Sequence, residues 1–199
     1  MADYYITKIL IPLNQHRAVA EEKPILIVNI DPSRVGVLVG ARGEIKRKLE
    51  NAFRVKLKIN SSKGEVLVYA VDKISPLNLL KLRNIIQAIG YGFSPEKAFL
   101  LANEDYMLDV IDLKEKAKHR ADMKRIKARI IGEDGRARRN LEELTEAHIS
   151  VGDRYIAILG TYEQVRLARQ AIEMLIKGRM HATVYKYIKR EKRKYMFHT

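Results

Sequence analysis

The sequence predicts an α+β chain built from two copies of one β-α-α-β-β-α unit. Each copy is a three-stranded sheet packed by three helices, and a basic C-terminal helix or tail follows. Three observations predict this. The segment VGARGEIKRKL at 39–49 returns as IGEDGRARRNL at 131–141, so Gly40 and Gly43 map onto Gly132 and Gly135 at one offset of 92 residues. The same offset carries Leu49 onto Leu141, Leu57 onto Ile149 and Ile59 onto Val151. A single Gly-any-any-Gly pair recurs by chance, whereas a pair repeated with its apolar flank and its following strand marks a duplicated unit. Residues 55–59, VKLKI, alternate strictly, as a half-buried strand does. Around each glycine pair, apolar residues recur at helical spacing.

The elements follow in order. ILIVNI (25–30) is a β-rich run. Pro32 and Ser33 open a short apolar helix from Arg34 to Val39, which the glycine loop interrupts. The next helix has Ile45, Leu49 and Ala52 on its inner face and Lys46, Arg47 and Lys48 outward. In VKLKI, Val55, Leu57 and Ile59 point inward and Lys56 and Lys58 outward. Ser61–Gly64 is a turn, EVLVYAV a strand, and Pro76 starts a helix to about Ile89 that Gly90 ends. Ser94-Pro95-Glu96 gives an N-cap, a Pro in the first turn and an acidic first turn, so a connecting helix runs to about Ala102. In the second copy, YMLDVIDL (106–113) is a strand, and a basic helix runs from about Lys114 to Ile131. After the loop comes a helix with Ala137, Leu141 and Leu144 inward. AHISV and YIAIL are strands separated by Gly152-Asp153, and TYEQVRLARQAIEMLIKG is an amphipathic helix ending at Gly178. The chain divides into 1–90 (first unit with an N-terminal extension), 91–105 (connector), 106–178 (second unit) and 179–199 (basic C-terminal helix or tail).

Composition narrows the partners. The 199 residues hold 38 Lys+Arg and 24 Asp+Glu, a formal net charge of +14, and 47% are hydrophobic. With no Cys, disulfides, thiolate metal sites and Cys nucleophiles are excluded. No apolar run approaches the roughly 18 residues of a membrane span. The start, MADYYITKILIPLNQ, lacks the basic and then apolar pattern of a signal peptide, so a cytoplasmic monomer without membrane contact is expected. The charge is concentrated in three blocks. Residues 42–63 carry 8 basic and 2 acidic side chains, 113–139 carry 11 and 4, and 177–199 carry 8 and 1. Two of the blocks bracket the glycine loops and the third is the tail, where Tyr185, Tyr187, Tyr195 and Phe197 interleave with Lys and Arg. That tail reads as a helix to about residue 190 that docks its aromatics and turns its basic side to water or to an RNA backbone. The expected partner is a polyanion.

Two helices joined by Gly-x-x-Gly leave backbone N–H groups free beside the positive end of a helix dipole, an arrangement that attracts phosphate. Glycine lets a nucleic-acid backbone approach closely. The following strand forms the other wall of a groove, with Lys56 and Lys58 or His148 and Ser150 at its edge. Such a groove suits unpaired bases. Both copies resemble type I KH domains in element order, in the loops Gly40-Ala41-Arg42-Gly43 and Gly132-Glu133-Asp134-Gly135, and in the flanking apolar residues. At finer grain, RVGVLVGARGEIKRKLE, IIQAIGYGFSPEKAFLLANEDYMLDVIDL, KARIIGEDGRARRNLEELTEAHISV and ARQAIEMLIKGRMHATVYKY resemble the archaeal members of the small-subunit ribosome-assembly KH family, whose eukaryotic relatives are called partner of NOB one. The resemblance covers most of the chain from about residue 25. It implies a factor that binds single-stranded small-subunit rRNA near the 3′ end, alongside the endonuclease that trims that end and the dimethyladenosine transferase.

The expected RNA-binding residues are Gly40, Ala41, Arg42, Gly43, Lys46, Arg47, Lys56 and Lys58 in the first copy. In the second they are Arg129, Gly132, Glu133, Asp134, Gly135, Arg136, Arg138, Arg139 and His148. The loops differ in charge: Arg42 suits a phosphate, whereas Glu133 and Asp134 repel one, weakened by solvent screening. The family's eukaryotic members keep the second glycine pair and have lost the first, so the resemblance favours the second loop and local charge the first; the two rank near equal. No metal-ligand spacing joins the five histidines (16, 119, 148, 181 and 198). Glu142 and Glu143 splay about 100° apart on a helix, and Asp109 and Asp112 have opposite parity on a strand. No enzyme and no cofactor are expected. The alternative reading is a protein–protein adaptor in which one KH unit is an interaction surface and only the other binds RNA.

Overall fold

The computed structural model describes residues 23–196. The reading of the chain start, His16, the tail residues Phe197 and His198, and the side chain of Tyr195 fall outside what is described. The first unit comprises β1 (Leu26–Asn29), α1 (Val35–Val39, entered through a 3-10 turn at Pro32–Arg34), α2 (Glu44–Phe53), β2 (Val55–Asn60), β3 (Glu65–Ala70) and α3 (Pro76–Gly90). The connector is α4 (Pro95–Ala98), continued by a 3-10 turn at Phe99–Ala102. The second unit comprises β4 (Tyr106–Asp112), α5 (Leu113–Lys116), α6 (Arg120–Ile131), α7 (Arg136–Thr145), β5 (His148–Val151), β6 (Tyr155–Thr161) and α8 (Tyr162–Ile176), and α9 (His181–Met196) follows.

Both sheets are antiparallel, in the orders β1-β3-β2 and β4-β6-β5. In each, the last strand of the unit is central and the strand after the glycine-loop helix is an edge. Ile59 faces Val66, and Val151 faces Ile156, so the second hairpin is two residues shorter. The inner face of each sheet is sealed by helices: Val66, Val68 and Leu57 pack with Leu38, Leu49, Ile85 and Ile86, and Ile156, Ile158 and Ile149 pack with Ile130, Leu141 and Ile172. Val184 and Ile188 of α9 are fully buried in the second core, and Tyr187 donates its hydroxyl to Gln170 Oε1 at 2.6 Å.

The outer faces differ. Ala157 and Leu159 of β6 belong to the first unit's core, with Leu108 and Val110 of β4 packed against it. The second sheet is therefore covered on both faces, by its own helices and by the first unit with its connector. The corresponding face of the first sheet leaves Ile25 and Ile27 41% and 51% exposed. Within the first unit and its connector, Arg34 donates through Nε to the Ile89 carbonyl near the end of α3 (2.9 Å) and through Nη2 to that of Phe93 just beyond it (2.8 Å). A polar contact also crosses to the second unit. Ser150 Oγ donates to the Tyr91 carbonyl at 2.7 Å. A Cβ on Gly92 (φ +105°) would stand 2.6 Å from Ser150 Oγ, so this close approach requires glycine.

The structure differs from the sequence reading in four places. The inner stripe of α2 runs through Ile45, Leu49 and Phe53, leaving Ala52 exposed; in α7 Ala137, Leu141 and Leu144 face the second core as expected, and Thr145 joins them. At about 100° per residue Ile45 and Phe53 each lie about 40° from Leu49, the most deeply buried of the three, whereas Ala52 lies about 60° from it, so residue 53 takes the buried side. The basic helix expected from Lys114 is broken at Ala117, which is extended (φ −97°, ψ 138°). Local caps cause the break: Asp112 accepts the Lys114 N–H (2.8 Å), Asp122 accepts that of Lys118 (3.1 Å), and His119 Nδ1 accepts that of Asp122 (3.2 Å). Half of the connector is a 3-10 turn, and α9 continues past residue 190 to Met196.

Candidate nucleic-acid interface

The two glycine loops share one backbone conformation. Gly40, Arg42 and Gly43 have φ/ψ of 73/174°, 51/25° and 78/19°, and Gly132, Asp134 and Gly135 have 70/−179°, 48/28° and 74/13°. In each loop the second glycine's N–H donates to the first glycine's carbonyl, at 3.2 and 3.3 Å. Among the described residues no acceptor serves the N–H groups of Ala41 and Arg42, or of Glu133 and Asp134. The pair projects at the tip of the loop, where an anion can take both.

The two glycines have different jobs. A Cβ on Gly40 would sit 2.5 Å from Ile45 Cγ1 and 2.9 Å from its backbone N, and one on Gly132 would sit 2.6 Å from Ala137 Cβ. The first glycine therefore lets the loop pack on its own helix. A Cβ on Gly43 would meet nothing within 4 Å. That glycine serves the positive φ and keeps the space above the loop open. At Gly135 the same space holds Arg139, whose Nη1 would be 3.2 Å from a Cβ there.

The groove wall opposite each loop is the edge strand, β2 or β5. Its outward amide is already engaged in both units. Glu50 Oε1 accepts the Leu57 N–H at 2.8 Å, and Glu142 Oε1 accepts that of Ile149, also at 2.8 Å. These carboxylates, 92 residues apart, were not among the expected site residues; the repeat offset contains the signal that finds them. Lys46 lies 3.8 Å from Glu50, and Arg138, its counterpart, reaches the Ile149 carbonyl at 3.5 Å. Thus Lys46 and Arg138 line equivalent grooves, while Arg42, Arg47, Arg136 and Arg139 are exposed on the loops and first helical turns.

The other expected residues lie elsewhere. Lys56 and Lys58 stand on the outer face of the first sheet, because Val55, Leu57 and Ile59 fill the inner one; Lys58 Nζ lies 4.7 Å from the centroid of the Tyr69 ring. His148 and Ser150 likewise turn away from the second loop, Ser150 to the joint with the first unit. Burial, then Lys97, lowers the His148 pKa, with Glu142 opposing. Arg129 is a strut: its Nη2 donates to the Arg179 carbonyl at 2.6 Å, and His181 Nε2 lies 2.8 Å from its own carbonyl. Asp109 and Asp112 are held by separate arginines, Arg169 and Arg154. Among the described residues no group of three or more His, Asp or Glu could hold a metal ion.

Residues 107–193 match a family model described as a eukaryotic type KH domain, type I, that of the second KH domain of PNO1. A KH domain-containing protein of Methanocaldococcus jannaschii is 42% identical over 177 residues, 88% of this chain and 78% of that one. The chain belongs to the PNO1 family of KH-domain proteins. An RNA-binding protein pno1 of Drosophila pseudoobscura is 34% identical over 79% of this chain and 68% of its own length. Two solved structures are also similar. Dim2p of Pyrococcus horikoshii is 38% identical, with a TM-score of 0.76 over 83% of this chain and 98% of that one. A chain in the crystal structure of an a/eIF2alpha–aDim2p–rRNA complex from the same organism has a TM-score of 0.78 at 38% identity, over 85% of this chain and 94% of that one. The PNO1 match covers the second unit and α9, so α9, with its two buried anchors Val184 and Ile188, lies within the matched KH region.

Proposed function

We propose that this chain is a non-enzymatic RNA-binding factor of small-subunit assembly. It holds single-stranded rRNA near the 3′ end through two KH units and supports processing of that RNA. The observation that carries the reading is the duplicated loop: two Gly-x-x-Gly turns of matching φ/ψ, each with two N–H groups lacking an acceptor among the described residues, each opposite an edge strand. Membership of the PNO1 family supports it, since relatives carry the names RNA-binding protein and pre-rRNA-processing protein. The endonuclease that trims the 3′ end and the dimethyladenosine transferase are the protein partners this role calls for. The protein acts in the cytoplasm as a monomer.

The first loop is the stronger phosphate clamp. Arg42 is exposed and the space over Gly43 is open, whereas the second loop places two carboxylates at the same point and Arg139 over Gly135. Binding of a labelled single-stranded oligonucleotide across a salt series tests the reading. The logarithm of affinity falls with log salt at about −0.7 per phosphate contacted. A flat slope, or a preference for duplex, defeats it. The adaptor reading is favoured by the Glu133-Asp134 pair alone. It requires that Gly135→Asp, whose Cβ meets only the flexible end of Arg139, leave RNA affinity unchanged while Gly43→Asp, whose Cβ meets nothing within 4 Å, abolishes it.

A further inference from the structure

Two cavities meet where the units join. One, of about 360 Å³, has Asn29, Gln87, Tyr91, Arg154 and Tyr155 among its lining residues. The other, of about 340 Å³, shares Asp31, Gly90, Tyr91, Gly152 and Asp153 with it and reaches Lys127, Ile131 and Val151. Ile131 immediately precedes Gly132 of the second glycine loop, and Val151 ends β5, the edge strand beside that loop. The second cavity therefore reaches the residue that precedes the second glycine loop and the end of the strand beside it.

We propose that this cleft is a pocket for one nucleobase, contributed by a single RNA strand that occupies the second unit's groove. The proposal rests on the RNA-binding reading above. The amides of Asn29 and Gln87 and the hydroxyls of Tyr91 and Tyr155 bond to no other described residue, whereas Ser150 beside them donates to the Tyr91 carbonyl. Each amide offers one acceptor and two donors, the complement of a base edge. Tyr91 and Tyr155 meet edge to face, with centroids 5.3 Å apart and planes at 68°, so the edge of one ring takes one face of the other and the edge-on ring gives up neither of its faces to the pair. Bases stack on such rings. The Arg154 guanidinium lies 4.9 Å from the Tyr155 centroid and is held by Asp112, which makes it a fixed planar wall. Asp31, whose pKa is lowered first by the Ser33 hydroxyl, and Asp153, paired with Lys127 at 3.2 Å, flank the shared mouth. They turn phosphate away and accept from base amino groups, so the base enters and the phosphodiester stays outside.

An abasic scan tests this. One nucleotide at a time in a ten-nucleotide single-stranded RNA is replaced by an abasic one, and affinity is measured for the full chain and for Asn29→Leu/Gln87→Leu. The expected result is one position, beyond those lying in the second groove, where losing the base costs the native chain about tenfold. In the double variant that penalty disappears while the penalties inside the groove and the salt slope remain. Gln87→Glu, which keeps the shape and removes the donors, changes the preferred base at that position alone and serves if the double variant unfolds. If the native chain binds no single strand, the RNA-binding reading falls and the pocket with it. If it binds with its salt dependence intact but no such position exists, or the penalty is the same in the variants, the pocket alone is refuted.

Discussion

Alanine at the two glycines of one loop separates packing from openness. Gly40 lies at φ 73°, ψ 174°, a region essentially reserved for glycine, where another residue costs about 1–3 kcal/mol. Its added Cβ would also press on Ile45 Cγ1 at 2.5 Å and on the Ile45 backbone N at 2.9 Å. Overpacking of that kind costs about 1–3 kcal/mol. Gly40→Ala therefore destabilises by about 4 kcal/mol, a large part of the roughly 5–15 kcal/mol that holds a domain folded. Gly43 is in the left-handed helical region at φ 78°, ψ 19°, and its Cβ would meet nothing within 4 Å, so Gly43→Ala costs about 1 kcal/mol. Urea unfolding followed by circular dichroism reads the difference. With a slope of about 2 kcal/mol per molar, the midpoints fall by about 2 M and about 0.5 M. Gly43→Ala stays folded, yet it puts a methyl group where a phosphate would approach, so it loses RNA affinity. Equal midpoint shifts for the two variants would refute the division of labour between the glycines. Gly132→Ala must behave like Gly40→Ala, because Ala137 Cβ, at 2.6 Å, has no flexible end to move aside.

Other outcomes follow from the same geometry. Glu133→Gln with Asp134→Asn removes two like charges from a phosphate-facing loop and raises RNA affinity at low salt, with the gain shrinking as salt is added; an unchanged affinity means that loop meets no phosphate. Arg42→Ala lowers affinity and makes the salt slope shallower by about 0.7, as one lost phosphate contact does, and an unaltered slope removes Arg42 from the interface. Arg34→Met strips charge-assisted bonds from the carbonyls of Ile89 and Phe93 and lowers stability by about 2–3 kcal/mol in urea titration; a loss below about 0.5 kcal/mol would deny it the tie to the end of α3. Burial, and then Lys97, holds the folded pKa of His148 below its ordinary 6.5. The unfolded chain then binds that proton more readily. The stability contributed is full above pH 6.5 and is lost as pH falls through the lowered folded value. His148→Gln flattens the stability profile between about pH 7 and pH 5, and a profile of the same shape in the variant would place its source elsewhere.

Much of the fold could be read in the chain. The offset of 92 located both loops, both edge strands and the order of elements, because local spacing and periodicity are properties of the sequence itself. Phe53 in place of Ala52, and the break at Ala117, were harder to read. The first turns on whether Ile45 or Leu49 centres the buried stripe, since Ala52 is nearer the former in helical angle and Phe53 nearer the latter, and the second on side-chain caps competing with the helix. The site was only partly legible. Gly40, Arg42, Gly43, Lys46 and their counterparts sit together at the groove, since they share one loop and one helix turn. Lys56 and Lys58 do point outward from their strand as expected, but they and His148 were expected at the groove's edge, and in three dimensions that side of the strand is the face away from the loop. Glu50 was not considered, and Glu142 only as a rejected catalytic pair with Glu143, because a carboxylate on a helix announces no strand partner seven residues later, although the repeat contained both.

The sequence by itself determined the duplicated unit, the two glycine loops and their opposite charges, for these depend on residues close together in the chain. Only the tertiary structure decided what the outer sheet faces meet. Side-chain alternation says that Ala157, Leu159, His148 and Ser150 leave the second core, yet it cannot say that the first unit is waiting on that side. That answer depends on rigid-body docking between segments far apart in the chain, such as Ser150 and Tyr91, 59 residues apart. The same docking brings Asn29, Gln87 and Tyr155 around one cleft, a juxtaposition with no signature in local spacing.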